Sequence, residues 1–186
     1  MRVITGSLRG KKLQTLAGLD VRPTTDKVKE AIFSIVHFDL PGAKVLDLFA
    51  GSGQLGIEAI SRGASSCVFV DRSKDAVAVV RKNVSDCKID GLVTIQNCDS
   101  LDYLRSSKNS FDIAFLDPPY ERGLVEKALA LLEPKMNAGG IVVCEHESEL
   151  ELPEIIGRLR IRRKYSYGKK IALSVYQIED GGNTSE

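Results

Sequence analysis

Tryptophan is absent from this 186-residue chain, histidine occurs twice, and aromatic residues make up only 6% of it. No apolar run approaches the roughly 18 residues of a membrane-spanning helix, and the N-terminus lacks the apolar core of a signal peptide. A cytoplasmic protein with no membrane partner is expected. The four cysteines, Cys67, Cys87, Cys98 and Cys144, show no C-x-x-C pairing, and two of them fall in expected strands. Free, mostly structural thiols are therefore expected in place of a zinc site or disulfide framework. His37 and His146 stand far apart and match no ligand spacing, so no metal is expected and neither histidine is assigned a catalytic role. Internal repeats and low-complexity segments are also missing.

What remains is a chain with 43% hydrophobic residues, long enough for one well-buried domain and too short for two comfortable ones. After an arm of about 40 residues, β-rich runs alternate with helical stretches, the pattern of a parallel sheet covered on both faces. Strands are expected at Lys44–Phe49, Cys67–Asp71, Val93–Asn97, Phe111–Leu116 and Ile141–Cys144, with Leu159–Arg163 and Ala172–Ile178 closing an antiparallel edge. Helices are expected at Lys27–Val36, capped by Thr25 or Asp26, and at Leu55–Arg62, Lys74–Cys87, Leu101–Ser106 and Leu124–Leu132. Pro134 and Gly139-Gly140 are read as ending the last helix and turning the chain into the fifth strand. The expected organisation is an N-terminal arm and helix at 1–40, a catalytic domain at 41–178 and a polar, disordered tail at 179–186.

The net charge of +1 conceals a polarised distribution. Residues 1–30 carry seven basic against three acidic side chains, and residues 31–157 carry twelve against nineteen. Residues 158–170 carry seven basic and no acidic side chains. Two basic stretches flanking an acidic body suggest contacts with a phosphate backbone. Arg2, Arg9, Lys11 and Lys12 in the arm, and Arg162, Arg163, Lys164, Lys169 and Lys170 near the other end, are the candidate RNA contacts. Two solvated faces are the competing reading. No large apolar surface is signalled, which makes a monomer the default.

Gly51-x-Gly53-x-x-Gly56 follows a strand and formally satisfies the dinucleotide fingerprint, so a nicotinamide dehydrogenase has to be weighed. Asp71 closes the second strand, where a carboxylate can accept from two ribose hydroxyls. What separates the readings is Asp47, ahead of the glycines. A negative charge there suits a ligand bearing an ammonium and a sulfonium and repels a pyrophosphate. S-adenosylmethionine therefore fits better than NAD. Asp99 closes the third strand and could accept from an adenine amino group, with the Ser100 backbone reading the ring edge; capping of the following helix is the open alternative.

Asp117-Pro118-Pro119-Tyr120 follows the apolar run Ile113–Leu116. An amino nitrogen on a nucleic-acid base is a poor nucleophile because its lone pair is delocalised into the ring, so it has to be held with that pair aimed at an electrophilic methyl. Asp117 and the Pro118 carbonyl offer two acceptors for the amino hydrogens, two prolines stiffen the segment, and Tyr120 offers a stacking face. The competing reading is a proline-stiffened strand exit with a capping aspartate. Such a grip does not name the ring, so adenine N6 remains the nearest alternative substrate atom, and a non-catalytic RNA-binding or ribosome-assembly factor is the alternative of another class.

These residues, together with Arg2-Val3-Ile4-x-Gly6, Arg9-Gly10-Lys11, Arg22-Pro23-Thr24-x-Asp26 and Gly139-Gly140-Ile141 ending at Glu145-His146, give the chain a resemblance to a known family. From Arg2 to about Gln177 it resembles the bacterial enzymes that methylate the exocyclic N2 of one guanine in 16S ribosomal RNA. The resemblance implies a Rossmann-like class I methyltransferase of α/β class, with a seven-stranded, mostly parallel sheet, helices on both faces and a short N-terminal extension. It also implies S-adenosylmethionine as donor and 16S rRNA or an assembling small subunit as partner. Asp117, Pro118, Pro119 and Tyr120 then form the reaction centre. Asp47, Phe49, Ala50, Gly51, Ser52, Gly53, Gly56, Asp71, Arg72, Asp99 and Ser100 hold the cofactor. Arg22, Thr24 and Lys27 join the RNA-binding set. Lys27 and Lys29 stand where the family commonly has arginine, which bears on RNA affinity, and Gln54 replaces a small residue in the glycine turn.

Overall fold

A computed structural model describes residues 1–16, 26–119 and 123–179. The N-terminal residues form a short hairpin closed by the Arg2–Lys12 bridge, and helix α1 spans Asp26–Ile35. The chain then runs β1 Lys44–Leu48, α2 Gln54–Ser61, β2 Ser66–Asp71, α3 Lys74–Cys87, β3 Val93–Asn97, α4 Ser100–Ser106, β4 Phe111–Leu116, α5 Leu124–Leu132, β5 Met136–Glu147, β6 Ile155–Ile156, β7 Leu159–Tyr167 and β8 Ile171–Ile178. Thr25, one of the two expected caps of α1, and the tail at 180–186 lie outside the described residues.

One sheet has the order β3-β2-β1-β4-β5-β8-β7-β6. The first five strands are parallel, while β8, β7 and β6 pair antiparallel at one edge. Chain order reverses between β1 and β4, so the crevice beyond the C-terminal ends of these two strands is a topological switch point, where open α/β sheets bind ligands. Strand periodicity sends alternate residues to opposite faces. Val45, Ile113, Phe115 and Val143 pack with α1, α2, α3 and the hairpin residues Val3 and Leu13. Leu46, Leu48, Leu116 and Tyr176 pack with α4 and α5 on the other face.

Three expectations need correction. Among the described residues the sheet has eight strands where seven were expected; the extra strand, Ile155–Ile156, is two residues long and too short to show a period. Gly139-Gly140 does not precede β5 but lies inside it. Phe111 pairs with Met136 and Ile113 with Ile141, so β5 bulges between those pairs, and Gly139 takes φ +70° there. The penultimate strand runs on to Tyr167, past the expected Arg163, carrying its basic side chains along an exposed ladder.

Gly56 shows how tightly α2 seats on the sheet. A Cβ at Gly56 would lie 2.2 Å from Phe69 Cε1 and 2.6 Å from Cys67 Sγ. Gly56→Ala is therefore expected to destabilise the chain by about 1–3 kcal/mol, the usual cost of overpacking a core. A lowered unfolding midpoint checks this, and an unchanged one would show that α2 can shift freely.

Candidate active site

Beyond β1 the backbone makes a sharp exit. Phe49 adopts φ 131°, a region L-residues rarely occupy, at a cost of order 1–3 kcal/mol. The N–H groups of Phe49 and Ala50 both donate to the Val70 carbonyl, at 3.2 and 3.0 Å, which holds the strained exit against β2. Gly51 then donates its N–H to Asp71 Oδ2 at 2.9 Å, while Asp71 Oδ1 accepts from Ser73 N at 2.8 Å. Asp71 thus ties the glycine turn to the end of β2. A Cβ built on Gly51 would meet nothing within 4 Å, so the turn presents bare backbone to open space.

Two asparagines that sequence reasoning missed support this turn. Asn83 of α3 is buried; its Nδ2 donates to the carbonyls of Ser52 (2.9 Å) and Gln14 (3.0 Å), and its Oδ1 accepts from Gln14 N at 2.8 Å. The arm and the glycine turn are joined through that one amide. Asn97, at the end of β3, donates to the carbonyls of Asp71 and Arg72. An asparagine in a helical or strand pattern carries no sign of such a partner. Only the fold supplies it.

A cavity of about 630 Å³ opens at the switch point. Its wall includes Phe49, Ala50, Gly51, Ser52, Asp71, Arg72, Asp99, Ser100, Asp117, Pro118 and Pro119, all singled out from sequence. The structure also brings Met1, Thr15, Leu16, Gln54, Ser73, Ala76 and Leu124 to it. No motif marks Met1, Thr15 or Leu16; they arrive because the hairpin folds back over the sheet. Gln54 is on the wall, with Oε1 buried and without a hydrogen-bond partner among the described residues. Asp99 caps α4, its Oδ1 accepting from Leu101 N and Asp102 N, so the capping alternative holds while the residue also faces the cavity. Tyr120, Arg22 and Thr24 lie outside the described residues.

Asp47, Gly53 and Gly56 sit behind the wall. Asp47 is buried, and its Oδ2 accepts from Gly56 N at 2.9 Å, in the first turn of α2. Burial pushes its carboxyl up to about 8; the Gly56 N–H opposes this, and the charges of Asp117 and Asp71 add to it. Burial thus works against the negative charge that the sequence suggests at this strand end. What disfavours a pyrophosphate is that the α2 amide at Gly56 is already engaged. The linkage has a definite sign. Unfolded Asp47 ionises near 3.8 while the folded group holds its proton to about 8, so its contribution to stability is full below 3.8 and is lost as pH rises towards 8. Asp47→Asn is accordingly expected to gain stability relative to the parent across that window, with the difference flat above it; a pH-independent difference in unfolding midpoint would contradict this.

Glu145, at the end of β5, is also buried, and burial followed by the charge of Asp117 pushes its carboxyl up to about 8. His146 is fixed within the sheet, its Nδ1 2.8 Å from the Glu147 carbonyl and its Nε2 2.8 Å from Ser174 Oγ. Among the described residues no cluster of three metal-ligating side chains occurs, and no helix is long and apolar enough to cross a membrane.

The basic residues divide. Lys29, which stands where the family commonly has arginine, is fully buried and donates to the Arg2 carbonyl at 2.8 Å, with Glu58 and Asp26 at 4.0 and 3.9 Å. It braces the arm. Lys27 is exposed, as are Arg2, Arg9, Lys11 and Lys12. Arg9 lies by the hairpin tip, where Ser7 N donates to Ser61 O at the last residue of α2, about 12 Å of helix from the glycine turn. Near the other end, Arg160 and Arg162 are engaged by Glu179, and Arg158 by Glu133. Arg163, Lys164, Lys169 and Lys170 are exposed. Ile171 pairs with Glu147, and Lys164 with Ser174, itself paired with Cys144, so this hairpin turns at the same sheet edge as Asp117.

The family model described as Conserved hypothetical protein 95 matches residues 1–177. A Bacillus subtilis (strain 168) protein, YlbH, described as a candidate rRNA methyltransferase, is 42% identical over 173 residues, 90% of this chain and 94% of that one. Ribosomal RNA small subunit methyltransferase D of Escherichia coli (strain K12) is 32% identical over 186 residues, 99% of this chain and 93% of that one. A solved Escherichia coli structure, yhhF, described as a candidate methyltransferase, superposes with a TM-score of 0.87 at 34% identity, covering 96% of this chain and 98% of the other.

Proposed function

Because the chain belongs to the Conserved hypothetical protein 95 family, alongside small-subunit ribosomal RNA methyltransferases, we propose that it transfers a methyl group from S-adenosylmethionine to the exocyclic N2 of a guanine in 16S rRNA. The observation that carries this reading is the meeting of Asp117-Pro118-Pro119 with the bare Gly51 turn, Asp71 and Asp99 on one cavity wall. The residues suit the cofactor. Gly51 leaves room for close approach, and the acids at the ends of β2 and β3 can accept from ribose hydroxyls and an adenine amine. When bound, S-adenosylmethionine supplies a methyl carried on a sulfonium, which leaves as a neutral thioether.

The chain's own part is positioning. Asp117 and the Pro118 carbonyl accept the two amino hydrogens of a base rotated out of its stack, and Tyr120 supplies its stacking face. This fixes the nitrogen lone pair on the methyl carbon. As the N–C bond forms and the C–S bond breaks, the nitrogen gains positive charge, and the Asp117 carboxylate stabilises it. The amino proton then passes to Asp117 and on to solvent. Arg163, Lys164, Lys169 and Lys170, with Arg2, Lys11, Lys12 and Lys27, hold the RNA by its phosphates.

Label from methyl-labelled S-adenosylmethionine is expected in unmethylated small-subunit RNA, with affinity falling steeply as salt rises and the log–log slope flattening in Lys169→Gln/Lys170→Gln. Transfer independent of RNA, or an affinity insensitive to salt, would contradict this reading.

A further inference from the structure

Glu145 is a buried acid that the mechanism above leaves unused. Leu116 of β4 pairs with Cys144 of β5, so Asp117 and Glu145 follow side by side at the C-terminal edge of neighbouring strands. Both continue the alternation of Phe115 and Val143, which share one packed face, so the two carboxyls emerge on the same side of the sheet. Glu145 Oε2 is buried with no hydrogen-bond partner among the described residues, an arrangement that is costly for a carboxylate and relieved if the oxygen carries a proton to give away.

We propose that Glu145 is the second acid of the transfer centre, a neutral carboxyl that donates its proton to Asp117 and so holds that carboxylate in the orientation that grips the substrate amino group. The inference rests on the methyltransferase reading of Asp117. Glu145 is a positioning residue, because it acts through Asp117. The bonds made and broken at the substrate are unchanged, and the amino proton still leaves through Asp117.

The surroundings support a neutral Glu145. Among the described residues, Asp117 is the charged group that faces it; its neighbour on β8 is Leu173, and Lys29 on α1 is committed to Glu58, Asp26 and the Arg2 carbonyl. Burial and the charge of Asp117 raise its proton affinity, which favours the protonated form at neutral pH. Once Glu145 ionises at higher pH, the donation is lost and two anions face each other.

The test compares the parent chain with Glu145→Gln and Glu145→Ala in single-turnover transfer across pH, with infrared spectra of the carboxyl region. The parent rate is expected to fall above pH 8, by up to about tenfold per unit. Glu145→Ala is expected to lose about 10²-fold at neutral pH, as a misplaced reacting group does. Glu145→Gln keeps a donor that cannot ionise, so it recovers most of that loss and has a shallower alkaline fall, with Asp47 still ionising near 8. The parent spectrum at pH 7 holds a protonated-carboxyl band that Glu145→Gln loses. An alkaline fall as steep in Glu145→Gln as in the parent, or a spectrum unchanged by the substitution, overturns the proposal. If the parent transfers no methyl to any RNA, the methyltransferase reading fails instead, and the infrared comparison still decides whether the acid pair exists.

Discussion

Asp117→Ala is expected to bind S-adenosylhomocysteine nearly as well as the parent chain and to lose methyl transfer by about 10²–10³-fold, the scale set by removing one preorganised electrostatic group. Cofactor affinity is spared because the cradle is built elsewhere, from the Phe49 exit, the Gly51–Asp71 tie and the ends of β2 and β3. Transfer suffers because the carboxylate both orients the amine and opposes the positive charge that develops on it. Asp117→Asn should fall between the two, since it keeps an acceptor oxygen and loses the charge. There is a second signature. Asp117 helps to raise the proton affinities of Asp47 and Glu145, so both should ionise at lower pH in Asp117→Ala. Near-normal turnover in Asp117→Ala would remove this residue from the reaction.

Glu58→Ala is the expected large loss of stability. Glu58 is fully buried in α2, its Oε2 accepting from Ile4 N at 2.8 Å and its Oε1 from Thr5 N and Arg62 Nε, each at 2.9 Å. Lys29 Nζ lies 4.0 Å away, and Arg62 stacks over the Phe33 ring with its guanidinium carbon 4.7 Å from the centroid. Removing the carboxylate leaves a buried ammonium and two backbone donors without their acceptor, a change that costs about 3–5 kcal/mol in comparable buried pairs. The loss should reach function too, because Glu58 holds residues 4 and 5 against α2 while Met1, Thr15 and Leu16 line the cavity. A lower unfolding midpoint with weakened cofactor binding is the expected pair of results. Glu58→Gln should recover part of the stability, since its amide oxygen still accepts. Unchanged stability in Glu58→Ala would mean that the arm is held by its apolar residues alone.

Much of the site was legible because its residues are close in sequence and their chemistry needs particular spacings. The glycine turn, Asp71, Asp99 and Asp117-Pro118-Pro119 sit at strand ends that hydrophobic periodicity marks, and parallel topology brings those ends to one edge. Less legible was depth. Strand alternation puts Asp47 and Asp117 on the same face, yet Asp47 lies under the turn and Asp117 on the cavity wall, a difference decided by packing two residues further along. Lys29 is marked in the sequence only as standing where the family commonly has arginine, and its burial is not legible because its partners lie 27 residues back and 29 residues on, at Arg2 and Glu58. Asn83 was silent for the same reason, since its partners come from the arm and the glycine turn. The β5 bulge was misread because a Gly-Gly pair signals a turn whether it stands before a strand or within one.

The most direct measurement is nucleoside mass spectrometry of unmethylated small-subunit RNA, free and as ribonucleoprotein, after incubation with the purified chain and S-adenosylmethionine. N2-methylguanosine is expected at one position, formed about 10²–10³-fold more slowly when Asp117→Ala replaces the parent. Methyladenosine as the product, or an unmodified RNA in every particle tested while the cofactor binds, would contradict it.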